Sequence, residues 1–267
     1  METEHIERMK SHIRQSNIED EFSCLRSICL SVTDMCNLQC EYCPHSTYFE
    51  NANNYASLDM IYELKRQLSF YKYSGMISIS GMGEPTLHPQ INEIAEILQS
   101  FNLQIISNGL TGFDYRNIAK YACIVISIHD MNNKYIIKNN TSNVECIYRN
   151  HDIHSSISEF SPTNRWNQDL DNTISSICYY PFYKTTIDYD GSYLICQEDW
   201  KRYSKKYTIF DIDIREYFTE YLHSIKMMMF HHPRSISPCD KCNANGLVLG
   251  GEYAEYFKNK YNIGGGI

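Results

Sequence analysis

The chain lacks several features that would assign it elsewhere. No apolar run reaches the ~20 residues that span a bilayer, which excludes a helical membrane protein. The charged start Met1-Glu-Thr-Glu-His-Ile-Glu-Arg has no apolar h-region, so no secretory signal is expected. Basic residues are in deficit, with 24 Lys+Arg against 32 Asp+Glu and a net charge of −8. The basic face that nucleic-acid binding requires is therefore not expected. No internal repeat or low-complexity tract is present, and 43% hydrophobic with 21% charged residues is an ordinary globular composition. These absences point to a cytoplasmic protein with no membrane and no nucleic-acid partner.

What the chain has in excess is cysteine, 11 in 267 residues. In a reducing compartment an odd count does not read as a disulfide framework. Three cysteines fall within eight residues (Cys36, Cys40, Cys43) and four form a spaced set (Cys178, Cys196, Cys239, Cys242). Cys24, Cys29, Cys123 and Cys146 have no companions at ligand spacing and read as small buried hydrophobes.

Strand and helix patterns alternate from 25 to 160. The spacing predicts strands over 25–33, 76–80, 103–107, 123–128 and 153–160. Helices are predicted over 58–73 (capped by Ser57), 90–101, 113–121 and 132–149. Such alternation implies parallel β/α units with right-handed crossovers. From 178 the pattern changes to a hairpin around Asp190-Gly191, over 187–195, a helix over 211–230 and a C-terminal helix over 252–261. The fold class is α/β: a partial (β/α)6 TIM-like barrel with a small C-terminal β-hairpin-plus-helix domain. The expected divisions are a helical arm at 1–24, the barrel at 25–177 and the small domain at 178–267.

The first cysteine cluster reads Thr33-Asp-Met-Cys36-Asn-Leu-Gln-Cys40-Glu-Tyr-Cys43, directly after a strand. Three thiolates can hold three irons of a [4Fe–4S] cube and leave the fourth open to a ligand. A zinc knuckle completed by His45 is the alternative reading of the residues. Ser80-Gly-Met-Gly-Glu-Pro85 follows the second strand, Ser107-Asn-Gly109 the third, and Ser127 ends the fourth. C-terminal strand ends are where a parallel barrel builds its active site.

These four features together resemble the radical S-adenosylmethionine (radical SAM) superfamily over about residues 25–165. The resemblance implies that Cys36, Cys40 and Cys43 bind a [4Fe–4S] cluster, with Tyr42 as the aromatic residue before the last cysteine. It implies S-adenosyl-L-methionine contacts at Gly81, Gly83, Glu84, Ser107, Asn108 and Ser127. Met82 interrupts the family's Gly-Gly-Glu pattern, and the adenine contacts find no matching segment. Glu84 as a cap on the next helix, and Ser127 as an ordinary strand end, are the plain alternatives.

Twelve residues separate Cys178 from Gly191, four more lead to Cys196, and Cys239-x2-Cys242 follows 43 positions later. Four cysteines close a coordination shell, and a zinc ribbon would use them equally well. The pattern is similar to the SPASM domain in its shortened, twitch form. This implies one auxiliary [4Fe–4S] cluster on Cys178, Cys196, Cys239 and Cys242.

The resemblance implies that S-adenosylmethionine is cleaved to a 5′-deoxyadenosyl radical that abstracts hydrogen from substrate. An external donor such as flavodoxin or ferredoxin would supply the electron. Net oxidation of a sugar or cyclitol, helped by the auxiliary cluster, is the leading expectation. Only about 24 residues precede the first strand, whereas peptide-modifying relatives usually carry a further N-terminal domain there. A maturase of a ribosomally made peptide is the alternative, and a non-catalytic two-cluster electron-transfer or metal-binding protein the second. Arg165 is the candidate catalytic residue and Asp199 a candidate for positioning the auxiliary loop. His151, His154, the His231-His232 pair and the Met227–Met229 run read as loop, turn and core residues.

Overall fold

A computed structural model of the protein describes residues 18–40, 53–150, 177–242 and 251–263, together with Ser11, Ile13, Cys43 and 45–49. Seven strands form one sheet: β1 (Ser27–Leu30), β2 (Met76–Ile79), β3 (Asn102–Ser107), β4 (Cys123–Ile128), β5 (Cys146–Asn150), β6 (Lys184–Ile187) and β7 (Tyr193–Leu194). Their spatial order is β5-β4-β3-β2-β1-β6-β7. The first six are parallel to their neighbours, and β7 returns antiparallel on β6. The sheet does not close, as a partial barrel requires.

Alternation along each strand divides the sheet into two faces. Ile28, Leu30, Ile77, Ile79, Leu103, Ile105, Ile124 and Ile126 all enter the main core. Each such buried side chain is worth roughly 1.5–3 kcal/mol. Helix α1 (Leu58–Phe70) contributes Met60, Ile61, Leu64 and Leu68 to this core. It begins where the Ser57 hydroxyl accepts from the Met60 N–H at 3.2 Å. Helix α2 (Ile91–Ile97) adds Ile91, Ile94 and Ala95.

Two expected helices are revised. Over 113–121 only the turn Ile118–Lys120 forms. Asp114 accepts from the backbone N–H and the guanidinium of Arg116, a local alternative to helix. The helix expected over 132–149 stops early, leaving α3 (Lys134–Asn140) and then strand β5. The Thr141 and Ser142 hydroxyls donate to the carbonyls of Ile137 and Asn139, closing the helix end. The strand expected over 153–160 lies outside the described residues. The sixth parallel strand, β6, comes from beyond Cys178 and pairs with β1. The Asp190-Gly191 hairpin forms as expected between β6 and β7.

After the hairpin, a helical run passes from Ile214–Glu216 through one π-helical stretch (Tyr217–Tyr221) into α4 (Leu222–His231). The C-terminal α5 (Gly251–Lys260) packs Tyr253, Ala254 and Phe257 into the main core. No helix among the described residues is long and apolar enough to cross a membrane.

Candidate active site

The C-terminal ends of β1 to β4 and the loops after them converge on one cavity lined by Cys36, Cys40, Cys43, Ser80, Gly81, Gly83, Glu84, Ser107, Asn108 and Ser127. The residues chosen from four separate sequence segments therefore meet. Tyr42 and Arg165 lie outside the described residues, as do His151 and His154.

The cysteine loop is fixed at its root. Buried Asp34 accepts from the backbone N–H and side-chain amide of Asn54 at 3.0 and 2.8 Å. His45 Nε2 meets the Asp34 carbonyl at 2.8 Å. Glu84 then ties three loops together. One carboxylate oxygen accepts from the Thr86 N–H (3.0 Å) and hydroxyl (2.6 Å), the other from the Asn108 N–H at 2.7 Å. The Glu84 N–H donates to the Met35 carbonyl at 2.7 Å. The Asn108 amide donates to Asn37 Oδ1 at 2.8 Å, closing the triangle. Glu84 thus does cap the turn that follows it. Its burial pushes the carboxyl pKa up against these hydrogen bonds.

Glycine is required here for two reasons. Gly81 has φ +114, and a Cβ on Gly83 would lie 2.3 Å from the Met35 carbonyl oxygen. The Ser107 hydroxyl is turned to Tyr115 OH at 2.7 Å and accepts from the Gly109 N–H. Ser107 therefore fixes its own loop. Ser127 accepts from Arg149 Nε at 2.7 Å, its register partner on β5.

Arg149, His129 and Trp200 also line the cavity, and none of them was expected there from the sequence. Arg149 was hidden inside an expected helix. Burial, and then the Arg149 charge, push His129 down to about 4, so it is neutral at pH 7. Trp200 arrives from the segment after Cys196 and packs with Phe49, Met82 and Leu194, with Cys43 against them. Trp200 Nε1 and His45 Nδ1 are buried with no hydrogen-bond partner among the described residues.

Cys178, Cys196, Cys239 and Cys242 line a second cavity with Tyr180, Pro181, Ile195 and Arg234. All four are buried. Its volume is about 10 Å³, against about 140 Å³ at the first site. The second site is therefore the more tightly packed of the two. Asp199 is fully buried and accepts from the Tyr203 and Ser204 N–H groups at 2.9 and 2.7 Å, fixing the loop after Cys196. Arg202 ties this segment to the root of the first cysteine loop: it pairs with buried Asp188 and lies 3.7 Å from Asp34.

The donor chemistry fits iron–sulfur clusters. Burial pushes the Cys36 and Cys43 thiols up to about 12 and about 11. Burial and the other three thiols push Cys196 well above the ordinary range. Neutral thiols are the outcome unless a cationic centre draws out the protons. Among the described residues no three His, Cys, Asp or Glu gather around a single-ion position.

Comparison with known proteins identifies two domains. Residues 30–153 match the radical SAM superfamily, and residues 178–243 match SPASM, an iron–sulfur cluster-binding domain. The chain therefore carries a radical SAM domain followed by a SPASM domain. The first domain implies S-adenosylmethionine and a [4Fe–4S] cluster, and the second an auxiliary iron–sulfur cluster, which supports a radical SAM family enzyme.

The fold is similar to that of BtrN in complex with AdoMet and 2-DOIA (TM-score 0.65, 20% identity, 82% of this chain and 93% of that one). It is also similar to Streptococcus suis SuiB bound to S-adenosylmethionine (TM-score 0.50, 14% identity, 96% and 78%). At these identities the likeness concerns the fold. A GTP 3′,8-cyclase of Vibrio cholerae is 33% identical over 87 residues, 32% of this chain and 26% of that protein. A probable GTP 3′,8-cyclase of Methanocaldococcus jannaschii is 31% identical over 96 residues, covering 36% and 32%. The chain therefore spans about a quarter to a third of these relatives' length.

Proposed function

We propose that the protein oxidises a small polar metabolite, a sugar or cyclitol, by hydrogen abstraction, with the auxiliary cluster taking up an electron. The observation that carries this reading is the convergence of two unlike cysteine sites on one fold. An open three-cysteine cavity shares its wall with Trp200, four residues beyond a cysteine of the closed site.

On this reading Cys36, Cys40 and Cys43 hold the SAM-binding cluster, and Cys178, Cys196, Cys239 and Cys242 the auxiliary one. Bound there and reduced by one electron, the cluster and S-adenosylmethionine would supply the hydrogen-abstraction chemistry. The protein's part is to bind, orient and exclude water. Arg149, fixed by Ser127, offers a guanidinium to the methionyl carboxylate. Glu84, Asn108 and Asn37 hold three loops in one geometry. Met82 and Trp200, packed against Phe49 and Leu194, form an apolar wall that would exclude water.

The test is anaerobic assay of the reconstituted protein with sugars and cyclitols deuterated at carbon. Deuterium should appear in 5′-deoxyadenosine, together with a product two electrons more oxidised. Transfer from GTP or from a peptide, and from no sugar or cyclitol, would refute the substrate assignment.

A further inference from the structure

Burying a charge is costly unless opposite charge stands beside it. The four-cysteine cavity nevertheless has a buried side chain of each sign in its wall. Arg234, 7% exposed, and Glu198, 1% exposed, line it together with Cys178, Cys196, Cys239 and Cys242. The remaining lining side chains, of tyrosine, proline and isoleucine, bring no charge. Asp199, next to Glu198 in sequence, has its carboxylate bound to the Tyr203 and Ser204 N–H groups.

Arg234 is held at this wall by more than burial. Its Nη1 donates to the carbonyl of Cys242, one of the four cysteines. Its backbone lies at φ +62, in the left-handed region that glycine enters freely and other residues rarely adopt. An arginine kept at such a position points to a task for its side chain.

The sign of the charge determines that task. A [4Fe–4S] core held by four thiolates carries a net charge of about −2, and about −3 once reduced. A cation in the wall therefore stabilises the reduced form more than the oxidised one, and a carboxylate does the reverse. The cavity has only about 10 Å³ of room, so little water screens these charges. The guanidinium stays charged at every ordinary pH, which makes its bias constant. Zinc in the same place has no redox step for such charges to bias.

We propose that Arg234 sets the reduction potential of the auxiliary cluster, raising it so that the cluster accepts an electron, and that Glu198 opposes it from the same wall. Arg234 acts through the cluster and touches no substrate. The inference rests on the proposed oxidation, in which the auxiliary cluster takes up an electron, and deepens it. That electron is the one the substrate loses after a hydrogen atom has left its carbon. The hydroxyl proton goes to water as the carbonyl forms, and the cluster gains one electron.

The test is a spectroscopic redox titration of the anaerobically reconstituted full chain with Cys36, Cys40 and Cys43 replaced by alanine, which removes the other cluster. In that parent, Arg234→Gln keeps an N–H donor for the Cys242 carbonyl and drops the charge. It shifts the reduction equilibrium at least tenfold toward the oxidised form, a fall of about 59 mV for a one-electron couple. Arg234→Lys keeps the charge and most of the parent's potential. Glu198→Gln moves the potential the opposite way, upward. A bracing role alone does not give opposite signs in two variants that each hold about four irons per chain. Should Arg234→Gln fail to take up iron, Glu198→Gln carries the test, and a potential that does not rise overturns the inference. So does an Arg234→Gln potential equal to the parent's. A parent site that holds zinc, or a cluster that neither dithionite nor titanium(III) citrate reduces, would sink the electron-uptake reading as well. A reducible cluster indifferent to both variants would sink only the role given to Arg234 and Glu198.

Discussion

Gly83→Ala tests how the β2 loop is held against the cysteine loop. An added Cβ would lie 2.3 Å from the Met35 carbonyl oxygen and 2.7 Å from that of Thr33. Carbon–oxygen contacts of about 3.3 Å are the usual close limit, so Met35 must retreat by roughly 1 Å. These neighbours are backbone atoms of the segment that leads into Cys36, and no side chain can swing aside. The same carbonyl accepts the Glu84 N–H at 2.7 Å, so that bond is lost as well. Overpacking costs about 1–3 kcal/mol and the hydrogen bond about 1 kcal/mol. The melting temperature should fall by roughly 5–15 °C. A displacement of ~1 Å beside the reacting groups should slow SAM cleavage on the order of 100-fold. Gly112→Ala is the control, because its Cβ meets nothing and only its φ of +71 is penalised. It should cost about 1–2 kcal/mol and leave SAM affinity untouched. A Gly83→Ala protein that melts within 2 °C of wild type (an order-of-magnitude threshold) and cleaves SAM normally would refute the reasoning.

Three further predictions follow from other parts of the molecule. Cys239→Ala with Cys242→Ala should lower iron from about eight to about four per chain. Recovery of zinc would contradict the auxiliary-cluster assignment. Arg202→Met removes the partner of fully buried Asp188. The uncompensated carboxylate should cost about 3–5 kcal/mol, and Asp188→Asn in the same protein should restore part of it in chemical denaturation. Lys226 is fully buried, donates to the Phe218 carbonyl at 2.7 Å, and burial pushes it down to about 7. Its folded pKa lies below its unfolded one, so the unfolded chain binds the extra proton between about pH 7 and 10.5. This group's penalty is therefore complete below pH 7 and shrinks as pH rises, at no more than about 1.4 kcal/mol per pH unit. Lys226→Met should remove that slope from stability measured between pH 7 and 10; an unchanged slope would contradict the burial argument.

The chemistry-bearing loops were legible because each sits at a strand end and announces itself by spacing: Cys36-x3-Cys40-x2-Cys43, Ser80 to Pro85, Ser107 to Gly109. The strands β1 to β4 were legible for the same local reason, through alternation. Arg149 was not, because a helical reading ran through Asn139 to Asn143 and covered β5. The side chains that stop α3 act through hydroxyl-to-carbonyl bonds, which periodicity does not register. Strand β6 beside β1 joins segments more than 150 positions apart, as the Ser27–Lys184 register shows. Trp200 at the cavity depends on that pairing, and nothing in the residues around Trp200 signals it.

The central claim is that an open three-cysteine site cleaves S-adenosylmethionine. Its most direct test is anaerobic reconstitution with iron and sulfide, followed by S-adenosylmethionine and dithionite, with 5′-deoxyadenosine as the readout. The account predicts 5′-deoxyadenosine and methionine in equal amounts, both abolished when Cys36, Cys40 and Cys43 are replaced by alanine. A protein that incorporates iron and sulfide at this site yet forms no 5′-deoxyadenosine would contradict it.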